Sequence, residues 1–475
     1  MRILAFIVGM WTLAFPCAAR VEITDPTDQQ VLAAFLKNVE TSAAYCTPER
    51  MARFAAQPED ITWQASKYIR MPLVAYQLTG DAKYLDMFVE RVDTLCGCLT
   101  KGPDGFLGWY GLALELFRHP EHPDRKVDVI ITSFAMAGLM ADFARVVQAD
   151  EALTQRHGDA ARRYLALAQD HLVKKWDARG RYKDLGQDGA VYITHPDLKP
   201  VKASLTQPHN KHSIIIGSLI SLYAATGRDE YLVKAIKLGT RFKRSLTLVD
   251  DRYTWHYWDP SGPWDTNPEN PQEWKHWIGA EHTGGYYSSS ASQAVRLYEH
   301  GLVFDKRDIE RLVRTQTTVC WNADMASPRW ARVDGREGSG AYLCAALAPF
   351  DERVYQMAYG APAQAERLKN KDHSWQGGPV ACDWLEFKYL ICPRWRSGKP
   401  AETETVAPFL AKPDNRKLVE SLAFEVKAPG YQAPTTPAEM RAGPEARPRS
   451  RSQADGPRHS ERSEESSVLR RPRQG

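Results

Sequence analysis

Two segments of the chain match one another and set the terms of its folding. Tyr76-Gln-Leu-Thr-Gly-Asp-Ala-Lys-Tyr84-Leu85 pairs with Tyr223-Ala-Ala-Thr-Gly-Arg-Asp-Glu-Tyr231-Leu232. Each closes an apolar helix on a Thr-Gly turn and opens the next almost at once. Gly80 and Gly227 suit the left-handed position that ends a helix, where a Cβ would clash. The Tyr-Leu pair then anchors the following helix on its neighbour. Helical hairpins of this kind bury their apolar faces by stacking as an open solenoid or by closing into a ring. Irregular spacing and long aromatic loops favour the ring, with a functional mouth.

The spacing elsewhere is also helical. After Thr27-x-x-Gln30, which has the pattern of a capping box, Val31, Leu32, Phe35, Leu36 and Val39 share one face. Similar stripes cover 127–147, 160–176, 213–225, 286–298 and 309–319, and few stretches alternate with period two. The expected class is all-α, an (α/α) barrel of about six hairpins with long aromatic loops at one mouth. A hydrophobic share of 43% against 25% charged excludes a wholly disordered chain. The net charge of +4 arises in the last 35 residues, which hold nine Arg against five acidic side chains. The remainder is balanced, which argues against a nucleic-acid surface.

Residues 1–19 have the form of a secretory signal: Arg2, an apolar run from Ile3 to Phe15, then small residues around Cys17. The reading is a secreted or periplasmic protein without membrane insertion. It has a catalytic domain over 20–428 and a disordered Pro/Arg/Ser-rich tail over 429–475. The seven cysteines after the leader read as core or disulfide, not metal ligands, since Cys96-Gly-Cys98 is too tight for a usual zinc pair.

Export, helix-Thr-Gly-Asp-helix units and tryptophan-rich loops together resemble the (α/α) toroid carbohydrate enzymes, most nearly the polysaccharide lyases, over about 27–400. The resemblance implies β-elimination on a uronate-containing polymer of the glucuronan or alginate kind. Removing the proton beside a carboxylate leaves charge on its oxygens, which donors or cations must stabilise. A base takes that proton and an acid supplies the leaving oxygen.

Three clusters suit these tasks. In Gln207-Pro-His209-Asn210-Lys211-His212, at a helix start, the resemblance implies that Asn210 binds the carboxylate and His212 or His209 takes the proton, with Lys211 beside them. In Glu281-His282-Thr-Gly-Gly-Tyr286-Tyr287, it implies Tyr286 or Tyr287 as proton donor, and Tyr286 as an alternative base. An Arg often precedes this Tyr in such enzymes. None lies in 276–285, so His282, His276, Lys275 or Arg332 must bring the positive charge. Between the two clusters, Trp255, Trp258, Trp264, Trp274 and Trp277 crowd into one Pro-rich loop with His256. This loop reads as a sugar-stacking wall, with Trp109-Tyr110 as a further subsite. His373 and Trp375 are placed at the mouth. No nucleotide, esterase or zincin motif occurs, and neither cofactor nor metal is expected. Asp128, Asp177, Asp259 and Asp265 keep a glycoside hydrolase as the alternative. A non-catalytic glycan-binding protein is the third reading.

Overall fold

The structure, a computed structural model, describes residues 21–442 except 282–283, 323, 338–342, 362, 366–371, 373–375, 394–402 and 429–430. The expected leader, His282, His373, Trp375 and the far tail lie outside the described residues. Among those described there are sixteen α-helices: α1 (Pro26–Thr41), α2 (Pro48–Ala56), α3 (Ser66–Thr79), α4 (Lys83–Cys96), α5 (Ile130–Gln148), α6 (Glu151–Leu167), α7 (Lys174–Ala178), α8 (His209–Thr226), α9 (Asp229–Arg244), α10 (Gly284–Glu299), α11 (Lys306–Thr315), α12 (Glu352–Tyr359), α13 (Pro379–Glu386), α14 (Thr403–Leu410), α15 (Pro413–Leu422) and α16 (Pro437–Ala442). Among the described residues strand forms four antiparallel two-stranded ribbons: β1 (Thr100–Lys101) with β2 (Leu107–Gly108), β3 (Gly111–Leu112) with β4 (Lys126–Val127), β5 (Tyr182–Asp184) with β6 (Ala190–Tyr192), and β7 (Thr247–Val249) with β8 (Arg252–Thr254). The protein is mostly helical, as expected.

The two Thr-Gly turns end α3 and α8. Gly80 and Gly227 sit at φ 72° and 67°, and each donates its N–H at 2.7 Å to a tyrosine carbonyl, Tyr76 or Tyr223. The anchors that follow, Tyr84-Leu85 and Tyr231-Leu232, are buried. The start of α1 differs from expectation. Asp25, not Thr27, is its cap, accepting the N–H groups of Thr27 and Asp28 at 2.8 and 3.0 Å. Pro26 can open the helix because the first turn does not use its missing N–H.

Helices pack in sequential pairs, α3 with α4, α5 with α6, α8 with α9 and α10 with α11, and across pairs as α5 on α8 and α8 on α10. Further along, the Trp384 indole of α13 donates to Ala358 of α12 at 3.1 Å, and α13 packs on α1 and α3. Buried Asp28 of α1 receives the Lys388 ammonium and the Tyr389 hydroxyl. Helix α5 is long and apolar enough to cross a membrane, but it is largely buried between its neighbours. Among the described residues seven cysteines occur, none in a disulfide, and five of them are buried.

Short turns follow α3, α5 and α8, whereas long segments precede α5, α8 and α10. The long segments carry all four ribbons and the tryptophan-rich loop. The chain does not leave the domain at 429 as expected. Tyr431 accepts Thr247 Oγ1 at 2.7 Å, and the Trp274 indole donates to Pro434 at 2.9 Å. An aromatic ring and a run of carbonyls give this stretch partners that its composition did not reveal.

The backbones of α5 and α8 approach closely at Gly138. A Cβ there would stand 2.7 Å from Ser218 Oγ and 3.1 Å from Ser218 Cα. Gly138→Leu should therefore push the helices apart and cost about 1–3 kcal/mol, read as a lower urea midpoint with unchanged slope. An unchanged midpoint would show that the pair tolerates separation.

Candidate functional site

The N-terminal ends of α5 and α8 open onto a cavity continuous with solvent. Helix N-termini present unpaired N–H groups and a positive end, which favours anions. The polar lining comes from far-apart segments: Glu59, Asp128, His195, Lys202, Gln207 and Lys211, with Tyr257 and His276 from the aromatic loop. Lys211 Nζ bonds Glu59 Oε1 at 3.1 Å. The Lys202 and Lys211 ammonium groups lie 5.7 and 5.5 Å from the Phe117 ring centre. Burial first, and then the charges of Lys202 and Lys211, push His276 well below the ordinary imidazole range. His276 is thus neutral and is not the missing cation. Lys275 is spent on the carbonyl of Ala203 at 2.6 Å.

One wall rests on a buried ion cluster. Asp128 meets Lys175 Nζ at 2.7 Å and takes both its oxygens to Arg179 Nη1 at 2.8 and 3.0 Å. Arg179 Nη2 also donates to Tyr110 Oη at 2.7 Å. Tyr110 is thus part of this cluster rather than an open sugar subsite. Burial pushes its phenol up to about 12.

The 207–212 cluster does sit at a helix start, yet its members divide. His212 Nε2 accepts the Tyr192 N–H at 3.0 Å, fixing the ribbon β5–β6 to α8. Burial pushes its imidazole down to about 3. With its lone pair taken, His212 cannot be the expected base. His209 is also buried, bonded through Nε2 to Asp259 at 3.1 Å, and burial lowers its pKa despite that carboxylate. The buried Asn210 Oδ1 and Gln207 Oε1 have no hydrogen-bond partner among the described residues.

The second cluster divides as well. Tyr287 is buried in the core, its hydroxyl donating to Gln316 Oε1 at 2.9 Å and its ring stacked on Trp255 at 5.6 Å. It is scaffold, not a proton donor. Tyr286, half-buried in the first turn of α10, keeps its ring 5.5 Å from Tyr257.

Tyr257 joins these clusters. Its carbonyl accepts the His209 N–H at 3.4 Å, its N–H donates to Gly279 at 2.9 Å, and its ring lies beside Tyr286. Glu281 N–H donates to Trp255 at 3.1 Å, and Val333 N–H to Glu281 at 3.3 Å. The segments 209–212, 255–259, 280–281, 284–287 and 332–336 therefore meet at one place, bringing buried Arg332 along.

The expected aromatic wall is mostly framework. Trp109, Trp255 and Trp258 are buried, and the indoles of Trp109 and Trp258 donate to the carbonyls of Leu95 and Thr206 at 3.0 and 2.9 Å. Trp264, half-buried, donates to Thr206 Oγ1 at 2.9 Å. Among the described residues, Trp277 is the one expected ring that is exposed, at 44%, and it stacks on Tyr257 at 5.7 Å. Large rings in a polar loop settle inward when each N–H finds a carbonyl. Glu59, His195 and Lys202 were missed by sequence reasoning, because each stands in an unremarkable stretch and only folding brings it to the cavity.

No protein-family profile matches the chain, and no curated protein matches it.

A neutral His212 has a consequence for stability. Its folded pKa lies below its unfolded value near 6.5, so the unfolded chain binds a proton that the folded state refuses. Stability should fall as pH drops from about 6.5 towards about 3, by up to about 1.4 kcal/mol per unit crossed. His209 and His276 act in the same direction, and His256, whose pKa is raised, opposes them. His212→Gln keeps an acceptor for Tyr192 and should flatten this slope in urea titrations at neutral and mildly acid pH. An equally steep slope would assign the effect to other groups.

Proposed function

We propose that the chain is a secreted polysaccharide lyase that cleaves a uronate-containing polymer by β-elimination. In this reading the helical hairpins close into an (α/α) toroid, and the cavity at α5 and α8 is part of its mouth. The carrying observation is the meeting of 209–212 with 280–281 and 284–287 through Tyr257, beside a cavity lined by Lys202, Lys211 and Gln207. β-Elimination needs that combination: donors or cations for the carboxylate and a proton carrier close by.

The proton carrier is Tyr286, since His212 and Tyr287 are committed to structural hydrogen bonds. As phenolate it removes the proton next to the uronate carboxylate. The electron pair passes onto the carboxylate and then forms the ring double bond as the C4–O bond breaks. The leaving oxygen takes the bond's electrons and receives the proton back from Tyr286. The Asn210 amide stabilises the intermediate charge, with Arg332 adding to it from its neighbouring loop, and Lys211 contributes by exchanging its Glu59 partner for the uronate carboxylate. The exposed face of Trp277 stacks a sugar ring. The partner is an acidic polysaccharide, not a nucleic acid or a bilayer.

One observation favours a hydrolase instead: Glu59 and Asp128 both line the cavity. Each is already engaged, Glu59 by Lys211 and Asp128 by Lys175 and Arg179. Among the other aspartates considered, Asp177 holds Tyr192 and Lys234, and Asp265 holds Thr206 and Ser261.

Incubation with glucuronan and alginate should release products with a conjugated double bond, followed by ultraviolet absorbance. Tyr286→Phe should lower the rate by about 10²–10⁴, and Asn210→Ala by about 10²–10³. New reducing ends without unsaturation would establish the hydrolase, and binding without turnover would remove both catalytic readings.

A further inference from the structure

The missing cation has a further source. Asp259 is completely buried and lies between two imidazoles, with Oδ1 at 2.8 Å from His256 Nδ1 and Oδ2 at 3.1 Å from His209 Nε2. One oxygen serves each ring, so this is a bridge rather than a chelating set. The two histidines differ in exposure: the His256 side chain is 27% exposed and that of His209 only 6%. His256 binds Asp259 through Nδ1, which leaves Nε2 as the nitrogen for any further partner. Its backbone pairs with Ala280, directly before the 281–287 segment.

We propose that His256, oriented by Asp259 and carried as an imidazolium, is the group that meets the uronate carboxylate through Nε2. The inference rests on the lyase reading and supplies the positive charge that 276–285 lacks. Asp259 is a positioning residue here, and His209 braces it from behind. A buried carboxylate beside a half-exposed imidazole does two things: it fixes the ring orientation and it favours the protonated form.

The surroundings agree. Burial alone lowers the affinity of His256 for its proton, but the charge and hydrogen bond of Asp259 outweigh burial and raise it. Asp334 adds to the rise and Arg336 opposes it, both from the 332–336 loop. From α8 comes His209, its pKa lowered by burial, and from α9 Arg241, whose charge acts on His209 and pairs with that of Asp259. Asp259 and the difference in burial therefore favour a proton on His256 over one on His209. During elimination the imidazolium donates a hydrogen bond to the carboxylate and keeps its proton, so the elimination stays balanced.

The test compares wild type, Asp259→Asn and His256→Gln on a polyuronate across pH, with the His256 Cε1–H resonance titrated by NMR in the first two. With Asp259 intact, turnover should decline on the alkaline side as His256 loses its proton. In Asp259→Asn the His256 titration and the alkaline limb should both move to lower pH, by about one unit or more. In His256→Gln that limb should vanish, with kcat reduced more than KM. A purely structural Asp259 would lower activity without moving either pH value, and an unmoved limb overturns the inference. Should Asp259→Asn fail to fold, the His256→Gln profile decides by itself. Absence of turnover on any polyuronate, with the NMR shift as expected, would instead retire the lyase reading.

Discussion

The close approach of α5 to α8 governs the rest of the structure. Both helices bury apolar side chains over most of their length, and at Gly138 the backbones meet with only Ser218 between them. Two helices held this tightly present their N-terminal ends side by side. The unpaired N–H groups there cannot be left in an apolar setting. The cavity at that end is accordingly lined by polar and charged groups from several distant segments, among them Lys202, Lys211 and Gln207.

Around that pair, burial separates scaffold from surface. His212, Tyr287, Trp109, Trp255 and Trp258 are chemically capable groups, yet all are buried. Most have a fixed partner: His212 takes the Tyr192 N–H, Tyr287 bonds Gln316, and two of the indoles reach backbone carbonyls. A buried polar tip that finds its partner adds rigidity, and the same bond removes it from chemistry. The groups left nearer to solvent are fewer: Tyr286, Trp277 and His256. They are carried on the same backbone segments as the buried ones, with Tyr286 beside Tyr287 and His256 beside Trp255. The buried neighbour fixes the position of the exposed one.

How far the site was legible follows from the range of each interaction. The Thr-Gly turns at Gly80 and Gly227 depend on residues within one helical turn, and the sequence pattern found both. The apolar stripe placed the start of α8 near Ser213, and the helix begins one turn earlier, at His209. The roles within the cluster were not legible, because the partner of His212 is Tyr192 and the partner of His209 is Asp259, both remote in sequence. Tryptophan density marked the right loop but could not say which rings turn inward. That depended on carbonyls at Leu95 and Thr206.

Sequence by itself determined the helical class, the hairpin repeat and some of the polar residues on which the proposed site draws, because periodicity and turn chemistry act locally. Tertiary structure alone decided which of them meet and in which protonation state. Burial and charge pairing depend on what the fold brings within a few ångströms. Asp259 illustrates the difference: in the chain it is one more carboxylate after a tryptophan, and in the fold it binds two imidazoles, raising the pKa of half-buried His256 while deeper burial still lowers that of His209.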